Sequence, residues 1–187
     1  MLNIDTIFNN QYCVPVHLGD DIVDSSNKTK VLVKYSLLIA MTTVMTMMIR
    51  IPTIGTNGYL NLGDMVLFIA AMILGKKGGL IVGGLGSAFA DILVGYTHYA
   101  PITLIVKGLE GYITGAILDT NIGKKLPLLA TIIGGLWMAL GYYLAEIFMY
   151  GAKAALISIP GNIMQGLFGA ITAVILFRTL IKNKIKL

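Results

Sequence analysis

Charged residues are scarce in this chain and make up only 12% of its 187 residues, about half the share of a typical soluble domain. Hydrophobic residues make up 56%, and the mean hydropathy is +0.81. The apolar residues fall into long runs separated by short polar joints. Too little polar surface remains to cover a soluble domain of this size. The composition therefore predicts an all-α integral membrane protein.

Residues that support redox, metal or catalytic chemistry are also few. A single cysteine, Cys13, excludes an internal disulfide. The two histidines, His17 and His98, have no neighbouring ligands that would complete a metal site. No glycine-rich phosphate loop is followed by Lys-Ser or Lys-Thr, so ATP hydrolysis by this chain is not expected. Gly63 and Asp64 match only part of an intramembrane aspartyl protease pattern. We therefore predict a protein that is not an enzyme and has no cofactor.

The net charge of +5 does not indicate a nucleic-acid partner, because the basic residues flank apolar runs and form no stripe. Residues 1–30 are mixed and polar, without the basic start and apolar stretch of a secretory signal. We predict three parts: a polar cytoplasmic N-terminal extension (1–30), a six-helix membrane domain that binds substrate (31–181) and a basic cytoplasmic tail (182–187).

Six apolar runs approach the length that a membrane-spanning helix needs, about 20 residues. They cover residues 31–49, 60–75, 79–94, 102–118, 126–150 and 157–181. The joint 75–78 is a tight turn (GKKG), and 119–125 is a polar joint. Six spans place both termini on the same side of the membrane.

The basic residues show a strong bias between the two sides. Eleven lie on the side of the termini: Lys28, Lys30, Lys34, Lys76, Lys77, Lys124, Lys125, Arg178, Lys182, Lys184 and Lys186. Only Arg50 and Lys153 lie on the other side. Lys and Arg are enriched in cytoplasmic loops, so both termini are predicted to be cytoplasmic, in the inner (plasma) membrane of a bacterial cell.

This topology places the membrane-embedded ionisable groups, except Lys34, in the outer half of the membrane. The candidate substrate-binding residues there are Asn61, Asp64, Asp91, Tyr96, His98, Lys107, Glu110, Glu146, Asn162 and Gln165. The inner half of the spans is nearly all aliphatic. A channel or proton path needs polar groups along its length. A polar cup above an apolar floor instead favours a protein that binds a small polar solute from outside.

The charges in this cup have two interpretations. Lys107 and Glu110 are three residues apart on one helical face, so they can pair, and they and an aspartate can simply neutralise each other. Alternatively, one or more of these groups contacts a ligand, with Tyr59, Tyr96, Tyr99 and Trp137 as aromatic residues to cover or stack on a flat ring. A small-residue stripe at spacing four, from Gly75 through Gly79 and Gly83 to Ser87, predicts close internal helix packing.

Three other classes of protein are weighed against a binding subunit. A stand-alone secondary transporter of a small polar solute is the main alternative, although no inverted repeat and no polar inner half support it. A membrane enzyme lacks a catalytic constellation. A scaffold protein without a ligand does not explain the embedded charges, because charged side chains are costly inside a membrane and usually have a function there.

Four sequence stretches carry a resemblance to a known family. They are residues 59–64 (YLNLGD), 75–79 (GKKGG), 83–91 (GGLGSAFAD) and 101–111 (PITLIVKGLEG). In these the chain resembles the substrate-binding S components of energy-coupling factor (ECF) vitamin transporters. The resemblance covers most of residues 31–181; the last two helices match mainly by hydropathy.

The resemblance implies high-affinity capture of a water-soluble vitamin. It also implies a complex with an EcfT-type transmembrane coupling protein and two cytoplasmic ATPases, which makes an ATP-driven importer. In the family, small residues at spacing four on the first helix contact the coupling protein. Ser36 and Ala40 fit this pattern, and Val44 makes the face less flat. Delivery would occur when the S component topples within the lipid bilayer.

The subgroup with Asn-Leu-Gly-Asp and Lys-Gly-x-Glu-Gly is similar to S components for pyridoxine or hydroxymethylpyrimidine. These are the preferred substrates, followed by pantothenate, riboflavin and cobalamin. A hydroxylated heteroaromatic ring suits the carboxylates, Tyr, Asn and Lys of the predicted cup.

Overall fold

The computed structural model describes residues 25–52 and 59–182. Most of the predicted N-terminal extension, the loop at 53–58 and the tail beyond residue 182 lie outside the described residues. The described part of the chain folds into six helices and a small hairpin. In chain order these are α1 (Ser25–Met48), β1 (Ile51–Pro52), β2 (Tyr59–Leu60), α2 (Gly63–Leu93), α3 (Ala100–Leu118), α4 (Asn121–Lys125), α5 (Pro127–Tyr150) and α6 (Ala152–Lys182).

Five of these helices, all except α4, are long and apolar enough to cross a membrane. This confirms an all-α membrane protein. The second and third apolar runs of the sequence form two helical segments that meet without a loop inside α2. Its 31 residues contain one non-helical position, Gly75, with φ 69° and ψ −168°.

Gly75 divides α2 into two segments, α2a (63–74) and α2b (76–93). A Cβ built on Gly83 would lie 2.6 Å from Cδ1 of Leu67, and one built on Gly79 would lie 3.0 Å from the Cβ of Ala71. In a straight helix, residues 67 and 83 would be about 24 Å apart along the axis. The chain therefore reverses at Gly75, and α2b packs antiparallel on α2a. Glycine permits this reversal because it has no Cβ to oppose a positive φ.

The small-residue stripe on α2b packs inside the bundle, as predicted. A Cβ on Gly83 would lie 2.7 Å from the carbonyl oxygen of Lys107, and one on Gly84 would lie 2.9 Å from that of Leu104. Both contacts are with α3, the helix against which α2 packs most extensively. The stripe thus lets α3 approach α2b closely enough to bring Lys107 to the centre of the bundle.

Helices α1 and α6 both begin earlier than the apolar runs predict. Helix α1 starts at Ser25, so residues 25–30 of the predicted extension are helical. Helix α6 starts at Ala152, five residues before the predicted start, and includes Pro160 in its interior. The added residues of α1 are polar, and those of α6 are mostly alanine with Lys153, so neither segment stands out as part of a strongly apolar run. The predicted polar joint at 119–125 contains α4, which Thr120 caps by accepting a hydrogen bond from the Gly123 backbone N–H.

The hydrophobic core lies between α2a and α6. Leu67 and Phe68 are fully buried and pack with Ala170 and Ala173. A second cluster lies further along the same two helices and contains Met72, Val174 and Phe177. Above this core, the antiparallel hairpin pairs Ile51 with Leu60 and Pro52 with Tyr59. The hairpin holds Tyr59 over the end of the bundle where α2a begins.

We expect Gly111→Ala to destabilise the protein, because the new Cβ would lie 2.9 Å from the Cα of Gly79 and closer still to its carbonyl group. Overpacking of this kind costs about 1–3 kcal/mol, which corresponds to a fall in melting temperature on the order of 2–10 °C. Thermal unfolding of the detergent-solubilised protein measures this fall in melting temperature. Gly161→Ala is the control, since its Cβ would meet only the Leu60 methyl groups, at 3.3 Å. Equal melting temperatures for the two variants would contradict this packing.

Candidate functional site

A polar cavity opens at one end of the bundle, with an empty volume of about 450 Å³ that includes its mouth. Twelve residues line it: Thr46, Tyr59, Asn61, Ser87, Asp91, Tyr99, Thr103, Lys107, Tyr142, Glu146, Asn162 and Gln165. They come from the ends of α1, α2b and α5, the start of α3, and the first half of α6. Tyr59 of β2 and Asn61, just before α2a, complete the lining. The antiparallel helices bring these segments to the same end, as the sequence predicts. The cavity has the mixed lining of aromatic, hydroxyl, amide and charged side chains that is typical of a small-molecule site.

An ion cluster forms the wall of this cavity closest to the apolar core. The Lys107 ammonium group pairs with the Asp64 carboxylate, and it lies 3.0 Å from Oε2 of Glu110. All three side chains are at most 1% exposed. The predicted Lys107–Glu110 pair is thus present, and Asp64 is the aspartate that completes it. Charges this deeply buried are tolerated only when they are paired.

An amide network extends this cluster to α6. The Gln165 side-chain amide donates to Oδ2 of Asp64 at 3.0 Å, and its Oε1 accepts from the backbone N–H of Asn61 at 2.8 Å. The Asn61 side chain in turn accepts from the Gly63 N–H at 2.9 Å, at the start of α2. Gln165 and Asn61 line the cavity, but these contacts already occupy much of their hydrogen-bonding capacity.

Asp91 lies on a different wall and accepts a hydrogen bond from the Tyr59 hydroxyl at 2.6 Å. Burial, together with this hydrogen bond, raises the pKa of Tyr59 well above its usual value, so the hydroxyl remains a donor. Nearby, the Tyr142 hydroxyl donates to the Thr103 hydroxyl at 3.1 Å. The Lys107 ammonium lies 5.9 Å from the centroid of the Tyr142 ring, within the range of a cation–π interaction.

Glu146 is the carboxylate of the α5 wall and is only 3% exposed. The Tyr99 hydroxyl donates to its Oε1 at 3.2 Å, and the Ser158 hydroxyl donates to its Oε2. Tyr99 is itself 4% exposed, and burial raises its pKa. As with Asp91, the partners of this carboxylate are neutral hydroxyl groups.

An aromatic row lies along the mouth of the cavity. Successive ring centroids are 4.9 Å apart for Tyr59 and Tyr96, 6.2 Å for Tyr96 and His98, 4.9 Å for His98 and Tyr99, and 6.3 Å for Tyr99 and Tyr150. The loop between α2 and α3 supplies the three middle rings. The separations suit edge-to-face and offset aromatic contacts.

The structure places the predicted substrate-binding residues in three groups. Six line the cavity: Asn61, Asp91, Lys107, Glu146, Asn162 and Gln165. Asp64 and Glu110 lie behind Lys107 and neutralise it, whereas Tyr96 and His98 belong to the aromatic row at the rim. The predicted position of Asn162 and Gln165 at the start of the last helix is wrong. They lie about three turns inside α6, because that helix starts at Ala152.

Sequence reasoning missed four lining residues: Thr46, Ser87, Thr103 and Tyr142. Three of them stand four positions before a predicted charged residue on the same helix. The pairs are Ser87 with Asp91, Thr103 with Lys107, and Tyr142 with Glu146. Residues at this spacing share a helical face, so the signal was present in the sequence. Thr46 has no such partner.

The residues predicted to face a partner lie on the outward side of α1. Ser36 and Ala40 are exposed, and Val44 is 52% exposed. They follow one another at helical spacing four, next to further exposed apolar residues such as Leu37 and Met41. The opposite face of α1 is turned inward, where the buried Thr43 hydroxyl donates to the carbonyl oxygen of Gly86 at 2.9 Å.

Comparison with known proteins gives one family and two relatives. Residues 26–182 match the family described as "ECF-type riboflavin transporter, S component". The chain is 40% identical over 131 residues to an uncharacterized protein in the gap 3′ region of Pyrococcus woesei, covering 69% of this chain and 86% of that protein. It is 28% identical over 156 residues to the thiamine precursor transporter HmpT of Lactococcus lactis subsp. cremoris (strain MG1363), covering 83% of this chain and 89% of that protein.

We expect Lys107→Met to destabilise the protein by about 3–5 kcal/mol, because it leaves two carboxylates buried without their cation. Lys76→Met is the matched control. Lys76 pairs with Asp119 at 3.8 Å at the other end of the bundle, where both side chains are more than 40% exposed, and such surface pairs contribute at most about 1 kcal/mol. The melting temperatures of the two variants measure the difference. A Lys107→Met protein as stable as Lys76→Met would show that the cluster does not hold the fold.

Proposed function

The chain belongs to the family of ECF-type riboflavin transporter S components, and we propose that it captures a small vitamin or vitamin precursor in the polar cavity and delivers it through an ATP-driven importer. Membership of this family makes the protein a transmembrane component of vitamin uptake. The observation that supports the binding role best is the position of the charges. All five buried acidic and basic side chains of the described residues lie at the cavity end, above the core formed by Leu67 and Phe68.

A binding role fits this arrangement better than conduction. An ion or proton path needs ionisable or polar groups along the whole span. Below Asp64 on α2a, the next turns carry Leu67, Phe68 and Met72, which are all buried. The cavity is therefore closed from below by packed apolar side chains.

The proposed topology has six spans, with α2a and α2b crossing the membrane in opposite directions. Helix α2a is short, about 18 Å for its 12 residues, and the residues of the hairpin complete its path to the surface. Both termini then lie on the cytoplasmic side with Lys76, Lys124 and Arg178, in agreement with the positive-inside rule. The cavity faces the outside of a bacterial plasma membrane.

Hydroxymethylpyrimidine and pyridoxine remain the preferred substrates. Support comes from the relative that is named a thiamine precursor transporter and from the combination of carboxylates, hydroxyls and aromatic rings around the cavity. Pantothenate, riboflavin and cobalamin are the next candidate substrates. The name of the matching family includes riboflavin.

The proposed partners are an EcfT-type coupling protein and two cytoplasmic ATPases. The exposed residues Ser36, Ala40 and Val44 supply a docking face on α1, and toppling of the chain within the bilayer carries the loaded cavity inward. The burial of its ionisable groups supports this motion, because few charges would meet lipid as the chain turns.

The purified chain alone should bind its vitamin but should not transport it. Mass spectrometry of the small molecule released from detergent-solubilised protein should identify a pyrimidine or pyridine vitamin. In proteoliposomes, uptake should require the coupling protein, both ATPases and ATP. Ion-gradient-driven uptake by the chain alone would refute the importer model and favour a secondary transporter.

Val44→Trp should abolish ATP-dependent uptake with at most a small change in ligand affinity, because it adds bulk to the outward face of α1, whereas Thr46 of the cavity lies on the buried face. Leu140→Trp on α5 is the control, since Leu140 is 49% exposed and Val44 is 52% exposed. Ligand binding by the purified chain and uptake by the reconstituted complex are measured for both variants. If uptake is the same for both, the docking face lies elsewhere.

A further inference from the structure

The ionisable groups around the cavity divide into two sets with different roles. Asp64, Lys107 and Glu110 contact one another and form a closed cluster. Asp91 and Glu146, which are 4% and 3% exposed, belong to no ion pair within the part of the chain that the structure describes. The site as a whole has four carboxylates and one ammonium group, and that ammonium group is already engaged.

The partners of Asp91 and Glu146 are all neutral. Asp91 accepts from the Tyr59 hydroxyl, and Glu146 accepts from the hydroxyls of Tyr99 and Ser158. An ionised carboxylate has about four acceptor sites, so each still has capacity directed at the cavity it lines. A buried carboxylate without a cation is unfavourable, and Lys107, the buried cation of the described residues, is already paired with Asp64 and Glu110.

One further side chain in the cavity lacks a partner. The Thr46 hydroxyl is buried and makes no hydrogen bond within the described residues. It lines the cavity together with Asn162 and Ser87, which are 7% and 2% exposed. Buried polar groups are normally paired, so the Thr46 hydroxyl indicates a polar ligand that supplies its partner.

We propose that this site selects a heteroaromatic ligand that offers positive charge or N–H donors to Asp91 and Glu146, such as an aminopyrimidine or a pyridinium, and rejects anionic vitamins. The inference rests on the proposed function, in that the cavity is taken as the vitamin site. An aromatic amino group donates N–H to a carboxylate, and a protonated ring nitrogen beside it adds a second, charge-assisted donor. A ligand carboxylate or phosphate would instead meet two carboxylates, and the cation at Lys107 is already shared by Asp64 and Glu110.

The test compares ligands that differ in one group. The probes are 4-amino-5-hydroxymethyl-2-methylpyrimidine, its 4-hydroxy analogue, which lacks the amino donors, and pantothenate. Their affinities are measured by calorimetry on the purified full chain. We expect the amino compound to bind at least tenfold more tightly than the hydroxy analogue, about 1.4 kcal/mol, and at least a hundredfold more tightly than pantothenate.

Protein variants assign this preference to residues. Asp91→Asn and Glu146→Gln preserve side-chain size, and at least one of them should reduce the amino-to-hydroxy ratio to threefold or less. Asp119→Asn is the control, because Asp119 is an exposed carboxylate paired with Lys76 at the far end of the bundle, and it should retain the full ratio. The ratio is measured within each protein, so partial loss of folded material does not alter it.

The outcomes separate this inference from the function on which it rests. Pantothenate binding as tight as that of the amino compound would overturn the charge selection and leave vitamin binding intact. An amino preference that survives in both Asp91→Asn and Glu146→Gln would overturn the role of these carboxylates. If no probe binds and no vitamin co-purifies, the proposed function fails, and the inference fails with it.

Discussion

The ion cluster of Asp64, Lys107 and Glu110 joins α2a to α3 at the depth where the polar cavity meets the apolar core. Its three side chains are almost completely buried, so their attraction acts in a medium of low dielectric constant and is little weakened by salt. The same burial makes each charge costly without its partners. Through Gln165 the cluster also holds α6. The position of three helices around the cavity thus depends on these contacts.

The cluster depends in turn on close backbone packing. Lys107 reaches the axis of the bundle because Gly83 and Gly84 on α2b leave no side chain between the two helices. On the other side, a Cβ at Gly169 of α6 would lie 2.6 Å from the Cβ of Asp64. Small residues are known to allow helices to pack closely in membranes, and here they have a more specific effect. They fix the distances at which the buried charges can pair.

The sequence predicts the helical class, the reversal at Gly75 and the gathering of ionisable residues at one end, because each depends on composition or local pattern. It also predicts the Lys107–Glu110 pair, which needs only the spacing of one helix. It does not show that Asp64 completes this pair, or that Glu146 meets Tyr99 and Ser158. Those contacts join separate helices, and their register depends on side-chain packing that a single sequence does not reveal. The start of α6 is missed because its first turn consists of three alanines and Lys153 and is less apolar than the run that follows.

The charges form a closed cluster and two cavity-facing carboxylates, and under the proposed function this separation lets stability and ligand selection be set independently. The cluster is neutralised internally as far as one cation allows, and it remains so whether or not a ligand is present. Asp91 and Glu146 have hydroxyl partners that fix their orientation without cancelling their charge. If the loaded site crosses the bilayer with the toppling chain, two such carboxylates oppose the movement. A cationic or donor-rich ligand offsets that cost, so under the proposed function the chemistry that selects the vitamin also favours movement of the occupied site over the empty one.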